Sequence, residues 1–505
     1  MKRRRESKSY NPIFMITILT IIIMVVSLVF SIIGIDAQRA SINNDTLETS
    51  LVVVKNIFSI NGLQYLFSNI TSNFAILEPL ALLIVSLMGV SIGVTSGLFS
   101  AIFYPLRKVN LNVLTFFTLF LGIISSFFGG SAYVILIPLI ATMYQYIGRN
   151  PMVGAITAFL GITVGYGVNV MFTYDDYLLG TLTQLAARAD IDKSYQYHLM
   201  STHYISIATT FLLSIIGTII INRFLSEKLP KKYKINDELK ISKKGILVST
   251  ITFVALVLVF VYMTIPGLKL PGSGSLLDFE SDVYIEQLLG PNSPFAKGIV
   301  LIVSGIIMIC SFIYGMISGN MKDNHEYGVG LAESFKDLGY LFVLLFFVSL
   351  MTSVLEYTNL GIVISCLLMD MISTIPISGI PLIVIGFLII LIIGILIPNT
   401  HTKWELASPI MIPLFMRANI TPEFTQFLFR AADGMGKCIS PVFVYFIVLI
   451  GFLQKYNRTE KDITIFGTFK LMMPSIILFA VLWLLILIGW FVVGLPLGSG
   501  SYVTL

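Results

Sequence analysis

Residues 398–441 read PNTHTKWELASPIMIPLFMRANITPEFTQFLFRAADGMGKCISP, placing His401, Lys403, Trp404, Glu405, Arg430, Asp433 and Lys437 in a stretch otherwise apolar enough to lie in a bilayer. An ionisable group at the centre of a spanning helix costs at least about 2.5 kcal/mol, so such groups mark a solute or ion pathway more often than packing. The first expectation from this stretch is a transporter.

The rest of the chain agrees with a bilayer setting. Its 505 residues are 56% hydrophobic and 12% charged, with a mean hydropathy of +0.90, a balance foreign to soluble domains of this length. Uncharged runs at 109–148, 150–174, 371–402 and 471–505 each exceed the roughly 20 residues that cross a hydrocarbon core as helix. The alternating short segments of a membrane β-barrel are absent, which predicts an all-α integral membrane protein whose backbone groups are satisfied within helices.

Lys and Arg cluster at Lys2–Arg5, at Arg107 and Lys108, between Arg223 and Lys244, and at Lys455, Arg458 and Lys461. The positive-inside rule makes these segments cytoplasmic, and the base-poor loops at 36–73 and 266–294 external. The clusters read as topology signals in a multi-pass protein of the cell (inner) membrane, and not as a nucleic-acid surface. The apolar run from Pro12 to Ile35 is too long for a secretory signal and reads as an uncleaved first span. Cys310, Cys366 and Cys438 lie in apolar segments without metal-ligand spacing.

An internal repeat divides the chain. Tyr133, Pro138 and Pro151 recur 271 positions later as Trp404, Pro409 and Pro422, on either side of the hydrophilic insert Arg223–Lys244. Gly130, beside Gly129 and Ser131, corresponds to His401 in the run Pro398–His401. A helix broken inside a membrane exposes backbone groups, tolerated only where they are buried in protein or line a cavity, and paired breaks in two halves point to a transporter's binding site. Each break predicts a re-entrant hairpin, near 125–148 and 398–417; a kinked ordinary span is the alternative. The expected organisation is a first span and outer loop over 1–75, a first repeat over 76–222, a linker with central spans over 223–335, and a second repeat over 336–505.

At these positions the chain resembles the AbgT family of p-aminobenzoyl-glutamate transporters. The likeness is carried by Glu78-Pro79, Ser125-Ser126, Asn169 with Asp176, Pro271–Gly274, Ser293–Gly298, Lys403-Trp404, Thr421-Pro422-Glu423, Arg430 with Asp433, Ser440-Pro441 and Gly494–Gly498. The resemblance implies about nine transmembrane helices plus two re-entrant hairpins in inverted repeats, an elevator-type shift of an inner core, and a homodimer. It also implies a small aromatic carboxylate as solute, with some relatives exporting sulfonamides. The family's solute site, carried over by motif, falls on Asp176, Trp404, Pro422, Arg430, Asp433 and Pro441; His401 joins them as a candidate from the break itself.

The residues themselves support part of this. Arg430, Asp433 and Lys437 fall three and four apart, so they share a helix face and can pair along it. The planar fork of Arg430 suits a carboxylate. Trp404 reads either as a stacking platform for an aromatic ring or as an interfacial anchor. Pro422 and Pro441 read as shapers of the backbone. Asn169 and Asn399 read as sodium-coordinating oxygens or as helix caps.

Against the family pattern, this chain has Gly130 where an acidic residue is usual, His401 for a serine, Lys437 for an asparagine and Glu405 for a small apolar residue. Losing a carboxylate and gaining an ammonium both oppose a bound cation, since a unit charge 4 Å away is worth roughly 4 kcal/mol at an effective dielectric near 20. The expectation is that Lys437 stands in for a sodium ion, balanced by Asp433 or Glu405, with Na⁺ or H⁺ as coupling ion and no other cofactor. A snorkelling Lys437 is the alternative. The four His show no His-Glu-x-x-His spacing and there is no nucleotide-binding loop, which disfavours an enzyme or an ATP-driven pump. A dicarboxylate symporter is the other transporter reading.

Overall fold

The computed structural model describes residues 11–43, 46–230, 233, 240–458 and 463–505. The basic cluster at Lys2–Arg5, much of the insert before Lys240, and Lys461 lie outside the described residues. Among the described residues nine helices are long and apolar enough to cross a membrane.

The chain enters through α1 (Pro12–Ile33), started by Asn11, whose side chain accepts from the Ile13 amide, and ended by Gly34 in the left-handed region at φ 77°. An external hairpin follows, β1 (Asp36–Asn43) antiparallel to β2 (Thr46–Val53), with Asp36 opposite Val53. This small sheet departs from the all-α expectation; its polar sequence and short length gave no membrane signal. Helices α2 (Ile60–Ala75) and α3 (Glu78–Thr95) then cross as one bent span, broken where Pro79 opens α3. The short α4 (Leu98–Phe103) leads along the cytoplasmic side to Arg107 and Lys108.

The first hairpin is α5 (Leu111–Ser125) and α6 (Ser131–Tyr146). Its roots are tied together: Arg149 donates to the Val109 carbonyl at 2.7 Å and Arg107 to the Tyr146 carbonyl at 2.9 Å. Both arms therefore open on the cytoplasmic side, as a re-entrant hairpin requires, and the kinked-span alternative fails. The hairpin begins at Leu111, so the expected range 125–148 covers only its tip and second arm, as 398–417 does for the second hairpin, because the first arms carry no break to mark them. A broken span follows, α7 (Pro151–Val164), an interruption at 165–173, and α8 (Tyr174–Asp190). Then α9 (His203–Phe224) returns to the cytoplasm, and α10 (Lys243–Met263), the external α11 (Tyr284–Leu289), α12 (Pro294–Ser318), the cytoplasmic α13 (Asn324–Ala332) and α14 (Gly339–Thr358) make up the central spans.

The second half repeats the first with opposite orientation. A lateral α15 (Leu360–Thr374) leads to a hairpin of α16 (Gly379–Leu396) and α17 (Thr400–Arg417). Its roots share one external patch, where Ser373–Ser378 lie against Leu414 and Arg417. The broken span α18 (Pro422–Lys437) and α19 (Val444–Tyr456) follows, then α20 (Ile465–Val493). At the external end Thr421 donates its amide to Val503 at 2.9 Å; at the cytoplasmic end Lys455 Nζ reaches the Ser334 carbonyl. Two of the nine long apolar helices, α5 and α16, are thus hairpin arms, while α7 with α8 and α18 with α19 cross only as broken pairs.

Candidate solute and ion site

Four interruptions converge inside the membrane. The hairpin tips (Gly129 and Gly130; Pro398–His401) and the two breaks (Tyr166; Phe443–Tyr445) line one cavity of about 410 Å³, faced on its other wall by Glu78, Thr352 and Glu356 of α3 and α14. Proline and glycine explain why the backbone breaks here. Pro422 occupies the first turn of α18, where a missing amide proton costs nothing, and Pro441 lies between α18 and α19. Neither proline lines the cavity, so both act through the backbone.

Three carboxylates and three fixed cations surround the inner wall. Asp176 closes a capping box at the start of α8, accepting from the Thr173 amide at 2.6 Å, and pairs with Arg430 of α18. Asp433, sealed from solvent, takes Lys403 on Oδ1, Thr400 Oγ1 at 2.7 Å and Lys437 at 3.1 Å on Oδ2. Lys437 Nζ also donates to Thr400 Oγ1 at 2.5 Å and sits 3.6 Å from the centre of the Tyr166 ring, a cation–π contact. Asp175 accepts from Tyr166 at 2.5 Å and meets His401 Nε2 at 2.8 Å. On this wall Asp175, Asp176 and Asp433 match Lys403, Arg430 and Lys437 in number, and Glu78 and Glu356 add two carboxylates on the opposite wall.

These contacts correct the expected pairing. Arg430 does not pair along its own helix with Asp433; it reaches across to Asp176, 254 residues away in sequence. Asp433 instead turns toward α17. Lys437 does pair with Asp433 at i, i+4, and it does not snorkel: its side chain is 6% exposed. Glu405 does not balance Lys437. It is half exposed and pairs with Arg39 of β1 at 2.8 Å.

Trp404 neither faces the cavity nor sits at an interface. Its side chain is fully buried, its ring lies 4.5 Å from that of Phe429, and its Nε1 donates to the Leu179 carbonyl and to Thr183 Oγ1 at 3.0 Å. Asn399 lines the cavity, yet its side-chain oxygen is spent capping α17 on the Thr402 amide. Asn169 is buried. Its amide nitrogen donates to the Ile124 carbonyl at 2.8 Å and reaches Ser126 Oγ at 3.2 Å, and its oxygen accepts from the Met171 amide. It stitches the first hairpin tip to the break after α7.

Of the candidates read from sequence, His401, Asn399 and Lys437 line the cavity; Asp176, Arg430 and Asp433 stand one layer behind, and Trp404, Pro422, Pro441 and Asn169 support that layer. Sequence reasoning passed over Lys403, Asp175, Thr400 and Tyr166 as site residues. Lys403 and Asp175 each had a signal, a charge within five residues of a helix break. Gly130 has no room for a side chain: a Cβ there would lie 2.7 Å from Glu78 Oε1 and closer still to Tyr445 Oη. A carboxylate is therefore present at this tip, supplied by α3.

A multi-pass protein with paired re-entrant hairpins, broken spans and a charged cavity at their meeting point is built as a membrane carrier. Residues 6–505 match the family described as "AbgT putative transporter family", and the chain belongs to that family of transporters. It is not an enzyme. It is similar to the p-aminobenzoyl-glutamate transport protein of Escherichia coli (strain K12), 26% identical over 99% of this chain and 95% of that one. Solved structures of two transporters align with it: YdaH of Alcanivorax borkumensis, at 24% identity over 97% of this chain and 100% of that one, TM-score 0.49; and MtrF of Neisseria gonorrhoeae, at 26% identity over 98% of each, TM-score 0.48.

Proposed function

We propose that this chain is a secondary carrier of p-aminobenzoyl-glutamate or a closely related aromatic carboxylate in the inner membrane, working as a homodimer through an elevator-like shift of the hairpin core. The observation that carries this reading is the cavity where both hairpin tips meet, with His401 and Lys437 facing it. Its volume falls within the range of about 300–1,000 Å³ usual for small-molecule sites. Lys437 offers a donor to a solute carboxylate and His401, whose Nε2 is held by Asp175, presents its other ring nitrogen, while Asp176 and Arg430 hold the wall behind them. Tyr133, Tyr166 and Tyr445 supply the aromatic surface in place of the buried Trp404.

The coupling ion follows from charge balance. The three carboxylates behind the inner wall are matched by three fixed cations, and the Lys437 ammonium lies beside Asp433 and Thr400 where a sodium ion would sit, while the further carboxylates Glu78 and Glu356 stand on the opposite wall and can take up protons. Coupling to protons, or facilitated exchange, is the reading this favours. The test is uptake of labelled p-aminobenzoyl-glutamate into proteoliposomes under a sodium gradient, a proton gradient, or neither. Uptake driven by protons or by the solute gradient alone supports the reading; strict sodium dependence overturns the coupling and keeps the solute. No uptake under any condition overturns the solute, and dicarboxylates and sulfonamides are then the next probes.

A further inference from the structure

A second cavity, of about 520 Å³, opens on the cytoplasmic side far from the solute site, between the root of the first hairpin, the start of α7 and the end of α9. Three residues lining it, Tyr144, Arg149 and Ser226, carry unsatisfied buried polar atoms. Of these, Arg149 Nη1 and Ser226 Oγ are shut from bulk solvent and have no hydrogen-bond partner among the described residues. Buried polar groups without partners are rare, and each calls for a ligand, water or ion. Arg149 is not a loose side chain: its Nη2 is fixed on the Val109 carbonyl at 2.7 Å, which leaves Nη1 as the free donor.

The chemistry of the lining selects the occupant. Arg149 and Arg223 face one carboxylate, Glu227, leaving a net positive charge, and Ser226 adds a hydroxyl. Asn222 is held in place by Thr115 and Asn112, which stiffens the wall. One wall is Ile219, which is 64% exposed on the outer side of α9, one turn from Ile215, itself 53% exposed. The cavity thus joins a donor-rich cup to a hydrocarbon-facing strip. Basic pockets between helices on the cytoplasmic side are suited to anionic lipid headgroups.

We propose that this cavity is a phosphate-oxyanion site filled by the headgroup of an anionic phospholipid of the inner leaflet, with an acyl chain along Ile219 and Ile215. The bound lipid bridges the first hairpin to α9. Each guanidinium contributes about fivefold to the retention of an anionic lipid.

The test uses the full-length protein in detergent, with native mass spectrometry and thermal unfolding on addition of phosphatidylglycerol, phosphatidylcholine or inorganic phosphate. The wild type is expected to retain phosphatidylglycerol about tenfold more than phosphatidylcholine and to unfold at a higher temperature with it. R223Q and R149Q are each expected to weaken retention about fivefold, leaving about a twofold preference. Because R149Q also loses its tie to Val109, R223Q and S226L, which keep that tie, decide the matter if it fails to fold. Equal retention of both lipids, or phosphatidylglycerol retained undiminished by R223Q and S226L, overturns the proposal. Inorganic phosphate displacing the lipid at millimolar concentration overturns the lipid as source and assigns the site to a soluble anion.

Discussion

Lys403 on α17 and Asp433 on α18 form an ion pair in which both side chains are 0% exposed, and the same carboxylate holds Lys437 on its other oxygen. Taking charges out of water is costly, and a buried pair persists only where the partners satisfy one another. Removing one member of such a pair costs about 3–5 kcal/mol because the other is left uncompensated. Asp433→Leu strands two ammoniums and is expected to cost that much. Lys403→Met leaves Asp433 paired with Lys437 and is expected to cost less. Thermal unfolding in detergent checks the order; a Lys403→Met protein less stable than Asp433→Leu would contradict the arrangement.

Trp404 acts in packing, between α17, α8 and α18. Trp404→Phe removes the donor to Leu179 and Thr183 while keeping most of the ring contact with Phe429. The Leu179 carbonyl and Thr183 hydroxyl keep their other partners, so the expected cost of the lost hydrogen bond is about 0.5–1.5 kcal/mol. The KM for the solute should stay within about twofold, a change of about 0.4 kcal/mol on the scale where 1.4 kcal/mol is tenfold. Stacking on the solute would instead show as a large rise in KM at unchanged stability.

Gly130 lies against Tyr445 Oη and Glu78 Oε1, so a methyl group cannot enter without displacing one of them. Gly130→Ala is expected to lower transport at least tenfold, since overpacking costs typically about 1–3 kcal/mol and falls here on a hairpin tip. Tyr445→Phe in the same chain removes the nearest clashing atom and should restore part of the rate. Additive losses in the double variant would show that the two sites are independent.

The Arg39–Glu405 pair spans the β-hairpin and α17 but is partly wet on both sides. Exposed pairs are worth about 0–1 kcal/mol. Glu405→Gln is expected to leave the unfolding temperature and the ion dependence of uptake unchanged, measured side by side with the wild type.

How far the sequence carried can be judged from particular residues. The matched prolines 138 and 409, and 151 and 422, marked α6 with α17 and α7 with α18, because a proline in a membrane helix leaves a backbone signature that survives divergence. Spacing placed Arg430, Asp433 and Lys437 on one face, yet it could not choose among partners on other helices. Asp176 and Lys403 won over local pairing because each sits opposite its partner across a helix contact that only the fold creates. The orientation of Trp404 was equally hidden, since an indole flanked by a break can turn to the cavity or to the core. The β-hairpin left no hydropathy trace, being external and polar.

Lys437 gives the sharpest test of coupling. Its ammonium lies against Asp433, Thr400 and the Tyr166 ring, all of which would suit a cation, and it lines the cavity from which an ion would arrive. Lys437→Asn removes that fixed charge and leaves a neutral oxygen beside a carboxylate and a hydroxyl. Asp433 then keeps Lys403 alone, so folding should survive. With the competing charge gone, worth roughly 4 kcal/mol at 4 Å for an effective dielectric near 20, sodium can enter. Uptake by the variant is expected to become stimulated by an inward sodium gradient, while the wild type is not. Lys437→Met, which removes the charge without offering an oxygen, should lose coupled uptake and gain no sodium response. If Lys437→Asn transports as the wild type does, with the same ion dependence, the ammonium is not a surrogate ion.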